Sequence, residues 1–349
     1  MSLKSLVDLL DSLFSPDGLQ RFVHLELDAE KVVQEVDFKA APARVFYAVA
    51  VALRQQGRID AQLFAKLRAE FPRRASDIDA VAILFGEPAA PAVLRTHVIT
   101  LEAAIAGQIS AIDEEQVRAA LGTAVPVSWL KLDLHDLDTL AGDPSTWSKG
   151  QVRIREAIQQ HLRDEVLRSG ARHLSLFGLA PIPWLVAFGL AVSETIDARV
   201  FQRLRAPAGW SWQPEDPELD RWSVIPDPDT PPARDVAVLI SASASVKRER
   251  VDAVLPRGDR ATYEITLADP RIDAVRSEAQ LEAFASCYRA LLGQLEARHP
   301  GIERLHIFAA APVAVAIECG RRILHNAAPR IVTYEFAGGQ YKRALELRP

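Results

Sequence analysis

Apolar positions in residues 1–86 recur at the spacing of one helix face. The first such face consists of Leu6, Leu9, Leu10 and Leu13. Ser15 followed by Pro16 is typical of a new helix start, because a serine oxygen accepts a free backbone N–H and proline fits the first turn. Asp60 is placed to cap a later helix in the same way. The pattern therefore predicts a bundle of about five or six short helices.

The pattern changes after residue 86, where prolines and small residues interrupt the helical spacing. We predict a linker over residues 87–95, between a domain at 1–86 and a second at 96–349. Beyond the linker, short β-like runs alternate with longer helical stretches. The predicted strands are 127–134, 173–177, 199–204, 236–240, 304–308 and 330–336, and the predicted helices are 147–169, 182–195, 278–298 and 312–326. This alternation favours parallel sheets covered by helices, so the fold class is α + α/β.

An internal repeat relates two stretches of the second domain. HLSLFGLAPIPWLVAFGLAVSETIDARVFQ, from His173, aligns without a gap to RLHIFAAAPVAVAIECGRRILHNAAPRIVTYE, from Arg304. This alignment pairs Phe177 with Phe308, Pro181 with Pro312, Gly189 with Gly320, Arg199 with Arg330, and, continued at the same offset, Trp210 with Tyr341. Unrelated βα units would share hydrophobicity but rarely Phe, Pro and Gly together, so we favour a duplication. The alternative is two independent units that obey the same turn chemistry.

Each copy of the repeat runs from a buried strand through small residues to a proline at a helix start. Gly178 and Ala310 are small enough for a ligand to approach the backbone. Pro181 and Pro312 mark helix N-termini, whose free N–H groups suit phosphate. Because ligands of open α/β sheets lie beyond the carboxyl ends of the strands, we expect two half-sites that face one pocket and are lined by these residues. Ordinary turn chemistry between strand and helix explains the same residues.

Serines and a lysine follow the predicted strand 236–240. Small hydroxyls such as Ser241, Ser243 and Ser245 can hold phosphate or ribose, and Lys247 supplies positive charge. The alternative is a solvated loop beside a basic surface cluster.

Three aromatic residues are candidates for stacking on a nucleobase. Trp184 lies in the first turn of its predicted helix, while Trp210 and Tyr341 occupy matching positions of the repeat. An aromatic face can stack on a nucleobase. Packing in the core or at its edge is the alternative for each of the three residues.

Residues 127–349 resemble the SAVED domain, a pseudo-duplicated relative of the CARF sensor domains. The resemblance rests on the two repeated segments and on the ending RIVTYEFAGGQYKRALEL. It implies a CARF-like Rossmannoid α/β domain with halves at about 127–215 and 235–349, following the helical bundle. It also implies a cyclic oligoadenylate, commonly a cyclic tri-adenylate, as signalling ligand in bacterial antiphage defence, in CBASS or type III CRISPR systems. Ligand-driven head-to-tail assembly into an oligomer or filament is a further implication.

Residues 1–86 resemble the bacterial effector-associated, death-like adaptor domains. The resemblance rests on LLDSLFSPDGLQRFV and ALRQQGRIDAQLFAKLRAEFPRRASDIDAVAILF. Such domains recruit a separate effector that carries a matching domain, often a protease. The combination implies a sensor and adaptor. An enzyme that turns over a cyclic nucleotide and a constitutive scaffold are the alternatives.

Composition and the absence of sequence motifs narrow the possible functions and binding partners. A net charge of -5 gives no global attraction to DNA or to a membrane, so any nucleotide site must be local. The two cysteines, Cys287 and Cys319, form no zinc motif and no disulfide framework. No hydrolase, metalloprotease or P-loop motif occurs, so we expect no enzymatic activity, no metal and no cofactor. The N-terminal segment lacks the features of a signal peptide, and the expected location is the cytoplasm.

Overall fold

The computed structural model of the protein describes residues 2–27, 29–71, 74–86, 94–140, 143–214, 221–227, 233–323 and 328–349. The chain divides into two units, Met1–Ala92 and Val93–Pro349. Residues 87–93 of the predicted linker 87–95 lie outside the described residues. Its last residue, Arg95, is the first residue of a strand.

The described residues of the first unit form helices that share one apolar core. They are α1 (Ser2–Leu13), α2 (Pro16–Arg21), α3 (Glu30–Glu35), α4 (Pro42–Gln55), α5 (Ala61–Glu70) and α6 (Ala75–Ile83), with a π-helical turn at Phe22–Glu26. Both predicted caps are confirmed: Ser15 Oγ accepts the Gly18 N–H at 3.2 Å, and Asp60 Oδ1 accepts the Leu63 N–H at 3.0 Å. Helix α3 was not predicted, because its six residues carry too little of a periodic pattern.

The second unit alternates strands with helices. Its strands are β1 (Arg95–Glu102), β2 (Val125–Asp133), β3 (His173–Leu179), β4 (Ala198–Val200), β5 (Leu204–Arg205), β6 (Ala208–Gly209), β7 (Ser223–Pro226), β8 (Asp235–Ser241), β9 (Arg260–Thr266), β10 (Arg304–Ala310), β11 (Arg330–Ala337) and β12 (Gln340–Leu347). Its helices are α7 (Glu114–Leu121), α8 (Ser145–His161), α9 (Leu167–Ser169), α10 (Ile182–Val192), α11 (Arg248–Asp252), α12 (Glu278–Arg298) and α13 (Val313–Arg321). A π-helical turn, Leu162–Val166, joins α8 to α9.

Two sheets of this unit share one topology. The first has the order β2-β1-β3-β4, with every pair parallel. The second has the order β12-β11-β10-β8-β9-β7, in which the parallel strands β9-β8-β10-β11 repeat the order of the first sheet. Strands β7 and β12 add antiparallel edges. The unit therefore consists of two halves built to the same plan, each with its α/β crossovers.

Several sequence-based boundaries need correction. The first half begins at β1 and not near residue 127, because β1 pairs with both β2 and β3 in the middle of its sheet. This strand precedes the repeated segments, so the repeat did not reveal it. The predicted strand 199–204 is two short strands, β4 and β5. Helix α10 ends at Val192, since Ser193 adopts a positive φ of 66°.

Helices α10 and α13, one from each half, cross at a pair of glycines. A Cβ atom on Gly189 would lie well under 3.0 Å from the carbonyl oxygen of Ile317, and one on Gly320 equally close to that of Val186. Val186 and Ile317 are themselves paired in the repeat alignment. The two contacts are therefore images of each other, and the two helices meet backbone against backbone.

Buried polar contacts reinforce this joint between the halves. Arg321 at the end of α13 donates to the carbonyl oxygens of Ile196 and Ala198, at 3.1 and 3.2 Å, just ahead of and within β4. The same guanidinium pairs with Glu318 at 2.7 Å, and both side chains are almost fully buried. A buried charge is tolerated when it is paired and hydrogen-bonded in this way. The second half thus holds the beginning of β4 in the first half.

The glycine crossing yields a stability prediction. Gly189→Ala should destabilise the protein by about 1–3 kcal/mol or more, because the methyl group has to push the backbone of α13 away. Gly293→Ala in α12 is the matched control, since no described atom outside the neighbouring backbone of α12 lies within 4 Å of the added methyl. The control should gain roughly 0.5–1 kcal/mol from helix propensity. Urea denaturation measures the free energy of unfolding of both variants. A Gly189→Ala variant as stable as the wild type would contradict the close contact between α10 and α13.

Candidate functional site

A pocket of about 340 Å³ lies beyond the carboxyl ends of β8 and β10. We call it the second-half pocket. The structure brings five of the sequence-predicted site residues to its wall: Ser243, Ser245, Lys247, Ala310 and Tyr341. Arg250, one of the cations that follow the serines in the sequence, also lines it, whereas Ile182 and Phe336 are lining residues that sequence reasoning missed.

Ser241 shapes the loop that carries the serines of this pocket. Its Oγ accepts the Val246 N–H at 2.9 Å and donates to the Glu264 carboxylate at 2.6 Å. The Ala310 carbonyl accepts the N–H groups of Ala242 and Ser243, at 3.0 and 2.7 Å, and so ties the loop to β10. Because Ser241 is buried and both roles of its hydroxyl are used, the predicted ligand contact does not fit, and Ser241 positions the loop instead.

Two cations stand at the mouth of the second-half pocket. Lys247 is exposed at the N-cap of α11, and Arg250 lies one turn further along the chain. Neither side chain forms an ion pair with any residue that the structure describes. Their charge is therefore left for a bound anion, although the chain as a whole is acidic.

Phe336 is the aromatic ring that faces out of this pocket. It is 42% exposed, whereas Tyr341 is 4% exposed and packs edge-on against Phe308 with ring centroids 5.1 Å apart. The Arg250 guanidinium lies 5.0 Å from the centroid of the Phe336 ring. Burial raises the pKa of Tyr341 to about 12, so its phenol stays neutral. Tyr341 therefore forms the wall, and Phe336 offers the better surface for stacking.

Trp184, Trp210 and Gly178 are packing residues, contrary to the sequence-based prediction. Trp184 is fully buried, and its indole N–H donates to the Trp147 carbonyl at 3.1 Å. Trp210 is buried edge-on against Phe177, with centroids 5.3 Å apart. A Cβ atom on Gly178 would lie under 3.0 Å from the Leu185 side chain, so this glycine makes room for α10. The repeat matched these positions because core packing is duplicated along with the fold.

Pro181 and Pro312 are the N-caps of α10 and α13, which confirms them as helix starts. Neither proline lines the second-half pocket, although their neighbours Ile182 and Ala311 do. The predicted lining role therefore belongs to those neighbours.

A second cavity, of about 590 Å³, occupies the equivalent place in the first half. We call it the first-half pocket. Its lining residues are Ser110, Ala111, Leu179, Arg203, Leu204, Arg205 and Ala208. Leu179 corresponds to Ala310, and its carbonyl accepts the Ala103 N–H at 2.8 Å, as that of Ala310 accepts the Ala242 N–H.

Residues next to both pockets meet at the start of α13. Gln202, next to Arg203 of the first-half pocket, accepts the Ala314 N–H at 3.0 Å through its side chain. Helix α13 begins directly after Ala311 of the second-half pocket and its N-cap Pro312. The sequence predicted two half-sites that face one pocket. The described residues instead form two pockets, one at the carboxyl edge of each sheet.

Comparison with protein families identifies the second unit. Residues 153–347, more than half of the chain, match the family model of SAVED, described as the SMODS-associated and fused to various effectors sensor domain. The chain belongs to the SAVED family. No curated protein matches it. The matched residues include both helices of the glycine crossing and the strands that precede them, β3 and β10.

Solved structures similar to this SAVED protein share its fold. One is the Acinetobacter baumannii Cap4 SAVED/CARF-domain containing receptor with the cyclic trinucleotide 3'3'3'-cAAA, at a TM-score of 0.52 and 14% identity. The same receptor with 2'3'3'-cAAA has a TM-score of 0.51 and 15% identity. Each comparison covers 99% of this chain and 77% of the receptor.

Other site types find little support within the described parts of the SAVED protein. There, no group of three or more His, Cys, Asp or Glu side chains could hold a metal ion. No helix among the same residues has the length and apolar character needed to cross a membrane. Cys287 and Cys319 are free thiols, and burial raises the pKa of each.

Glu335, next to Phe336 on β11, carries a buried carboxyl oxygen, Oε2, that has no described hydrogen-bond partner. Burial raises the pKa of this carboxyl to about 7. The folded state therefore holds this proton more tightly than the unfolded state, and stability should fall as the pH rises from about 4.5 through 7.

Glu335→Gln tests this pH dependence. The variant should gain on the order of 2–3 kcal/mol in free energy of unfolding at pH 8, because the ionised carboxylate no longer has to be buried, and little at pH 4. Urea denaturation at the two pH values measures the effect. Glu115→Gln, at an exposed carboxylate of α7, is the control and should leave the pH dependence of the wild type in place. A Glu335→Gln variant with the same pH dependence as the wild type would contradict the assignment.

Proposed function

We propose that the protein is a cyclic-oligonucleotide sensor and adaptor in bacterial antiphage defence. The observation that carries this proposal is the convergence, in one pocket of a SAVED unit, of Lys247, Arg250, Phe336 and the hydroxyls of Ser243 and Ser245. Cations suit phosphates, hydroxyls suit ribose, and an exposed aromatic face suits a base. A ring built of several nucleotides presents all three chemistries at once.

A cyclic oligoadenylate is the proposed signalling ligand, and a cyclic tri-adenylate is its favoured form. The structural similarity to a receptor solved with 3'3'3'-cAAA and with 2'3'3'-cAAA supports this choice. Two pockets, one at the carboxyl edge of each sheet, also suit a ligand with several similar parts. DNA is a poor candidate, because a net charge of -5 gives the chain no overall attraction to it. We propose binding without turnover of the ligand.

The helical unit Met1–Ala92 is the proposed adaptor, a death-like domain that recruits a separate effector such as a protease. Its surface exposes large apolar side chains: Leu25 by 65%, Tyr47 by 59% and Ile83 by 60%. Charges at α6 are paired within the unit, Arg74 with Asp77 at 2.6 Å and Arg68 with Asp79 at 2.7 Å. Apolar contact is therefore the favoured mode of recruitment.

Assembly links sensing to recruitment in this proposal. The bound ligand joins one SAVED unit to the next, head to tail, into an oligomer or filament. Weak contacts between helical units and effectors then act together, because tethering raises their effective concentration.

Lys247→Gln should weaken binding of 3'3'3'-cAAA by about tenfold or more, since it removes a charge that no described residue neutralises. Isothermal titration calorimetry measures the affinity. Lys149→Gln on α8 is the control, because Lys149 is ion-paired to Asp143 at 3.5 Å and does not line either pocket. A wild-type protein that binds no cyclic di-, tri-, tetra- or hexanucleotide would overturn the proposed function.

Light scattering tests the assembly step by itself. The wild-type protein should increase in mass when 3'3'3'-cAAA is added, and Lys247→Gln should need a higher ligand concentration for the same increase. A protein that binds the ligand in calorimetry and keeps its mass would refute ligand-driven assembly while leaving the sensor function standing.

A further inference from the structure

Equivalent positions of the two pockets carry different chemistry. Leu174 pairs with Ala198, whereas its repeat counterpart Leu305 pairs with Ile331, so the equivalence of the halves shifts by two residues at β4 and β11. The ring contacts agree with this shift, because Phe201 stacks on Phe177 as Tyr334 stacks on Phe308. Arg203 is therefore equivalent to Phe336, and the first-half pocket has a guanidinium group where the second-half pocket has an aromatic ring. Since the backbone plan is shared, the side chains at these positions decide which part of a ligand each pocket suits.

Arg203 has the features of a prepared anion site. Its Nη1 is buried and has no hydrogen-bond partner among the described residues. The guanidinium carbon lies 5.9 Å from the centroid of the Trp210 ring, which gives the group a fixed neighbour. Arg203 as a whole is half-buried, and a buried donor without a partner is costly, so a bound anion that accepts from Nη1 removes that cost. Trp210, assigned to base stacking from the sequence, thus supports the arginine from the core.

Other groups of the first-half pocket fit the same anion. Arg205 is exposed at its rim, and Ser110 lines its wall. Neither Arg203 nor Arg205 forms an ion pair with a residue that the structure describes. Planar guanidinium groups match the oxygens of a phosphate, which accept paired N–H donors.

The second-half pocket offers an aromatic ring where the first-half pocket has the guanidinium group of Arg203. Phe336 is 42% exposed, with Tyr341 supporting its edge at a centroid distance of 5.0 Å. The Arg250 guanidinium lies against the Phe336 ring. It can remain there or move to a phosphate when a base stacks on that ring. An exposed ring held by a buried neighbour is a stacking platform.

We propose that the first-half pocket is a phosphate subsite, held by Arg203 and Arg205, and that the second-half pocket stacks a base on Phe336. The proposal rests on the proposed function and adds a division of labour between the halves. Because the two subsites differ, a cyclic oligonucleotide binds in one orientation relative to the axis that relates the halves.

Isothermal titration calorimetry on the full chain tests the division of labour between the two pockets. The two probes are 3'3'3'-cAAA and the corresponding cyclic tri-uridylate, each at several salt concentrations. Arg205→Gln should lower the affinity for both cyclic trinucleotides alike, by about tenfold. It should also reduce the slope of log affinity against log salt concentration by about one. Arg155→Gln, an exposed arginine of α8, is the matched control and should change neither quantity.

Phe336→Leu should weaken the binding of 3'3'3'-cAAA more than the binding of cyclic tri-uridylate, because a purine stacks over a larger area than a pyrimidine. Phe336→Tyr should keep the wild-type preference for 3'3'3'-cAAA, since tyrosine retains an aromatic side chain. Unchanged melting temperatures show that the variants fold.

The outcomes separate this proposal from the function it rests on. A wild type that binds neither ring overturns both. A wild type that binds, with an Arg205→Gln variant that keeps its salt slope or a Phe336→Leu variant that keeps its base preference, overturns the division of labour alone.

Discussion

The close crossing of α10 and α13 is the contact on which the SAVED unit depends. Gly189 and Gly320 let each backbone reach the other, and any side chain at either position would separate the two helices. Each helix starts at the carboxyl end of its own sheet, after β3 or β10. The crossing therefore sets how far apart the two carboxyl edges lie. Both pockets lie at those edges, so their spacing follows from this close crossing of the two helices.

The two halves share a plan, but they have diverged where they meet. Gln202 accepts the N–H of Ala314 at the first turn of α13. Their counterparts in the other half are Glu335, by the strand registers, and Pro183. Proline has no N–H to offer, and Oε2 of Glu335 is buried without a described partner. A hydrogen bond that fastens one half to the other is thus made once and not twice, and the unit is only approximately symmetric.

The same divergence extends to the pockets and separates structural from binding roles. Ser241 and Trp210 look like ligand contacts in the sequence, but in the structure they hold a loop and an arginine in place. Residues that line the cavities, such as Phe336 and Arg203, differ between the halves, while those behind them pack alike. A duplicated core with altered surfaces is what an asymmetric ligand site requires.

The sequence by itself determined the local structure and its repetition. Periodicity, the caps at Ser15 and Asp60 and the prolines at the starts of α10 and α13 depend on near neighbours in the chain, so they could be read directly. The tertiary structure alone decided which side chains reach a ligand. Trp184 is buried because α8 packs against it, whereas Phe336 keeps an exposed face at the rim of its pocket. Exposure depends on neighbours in space, which are often distant in the chain, and the periodicity of one element carries no record of them.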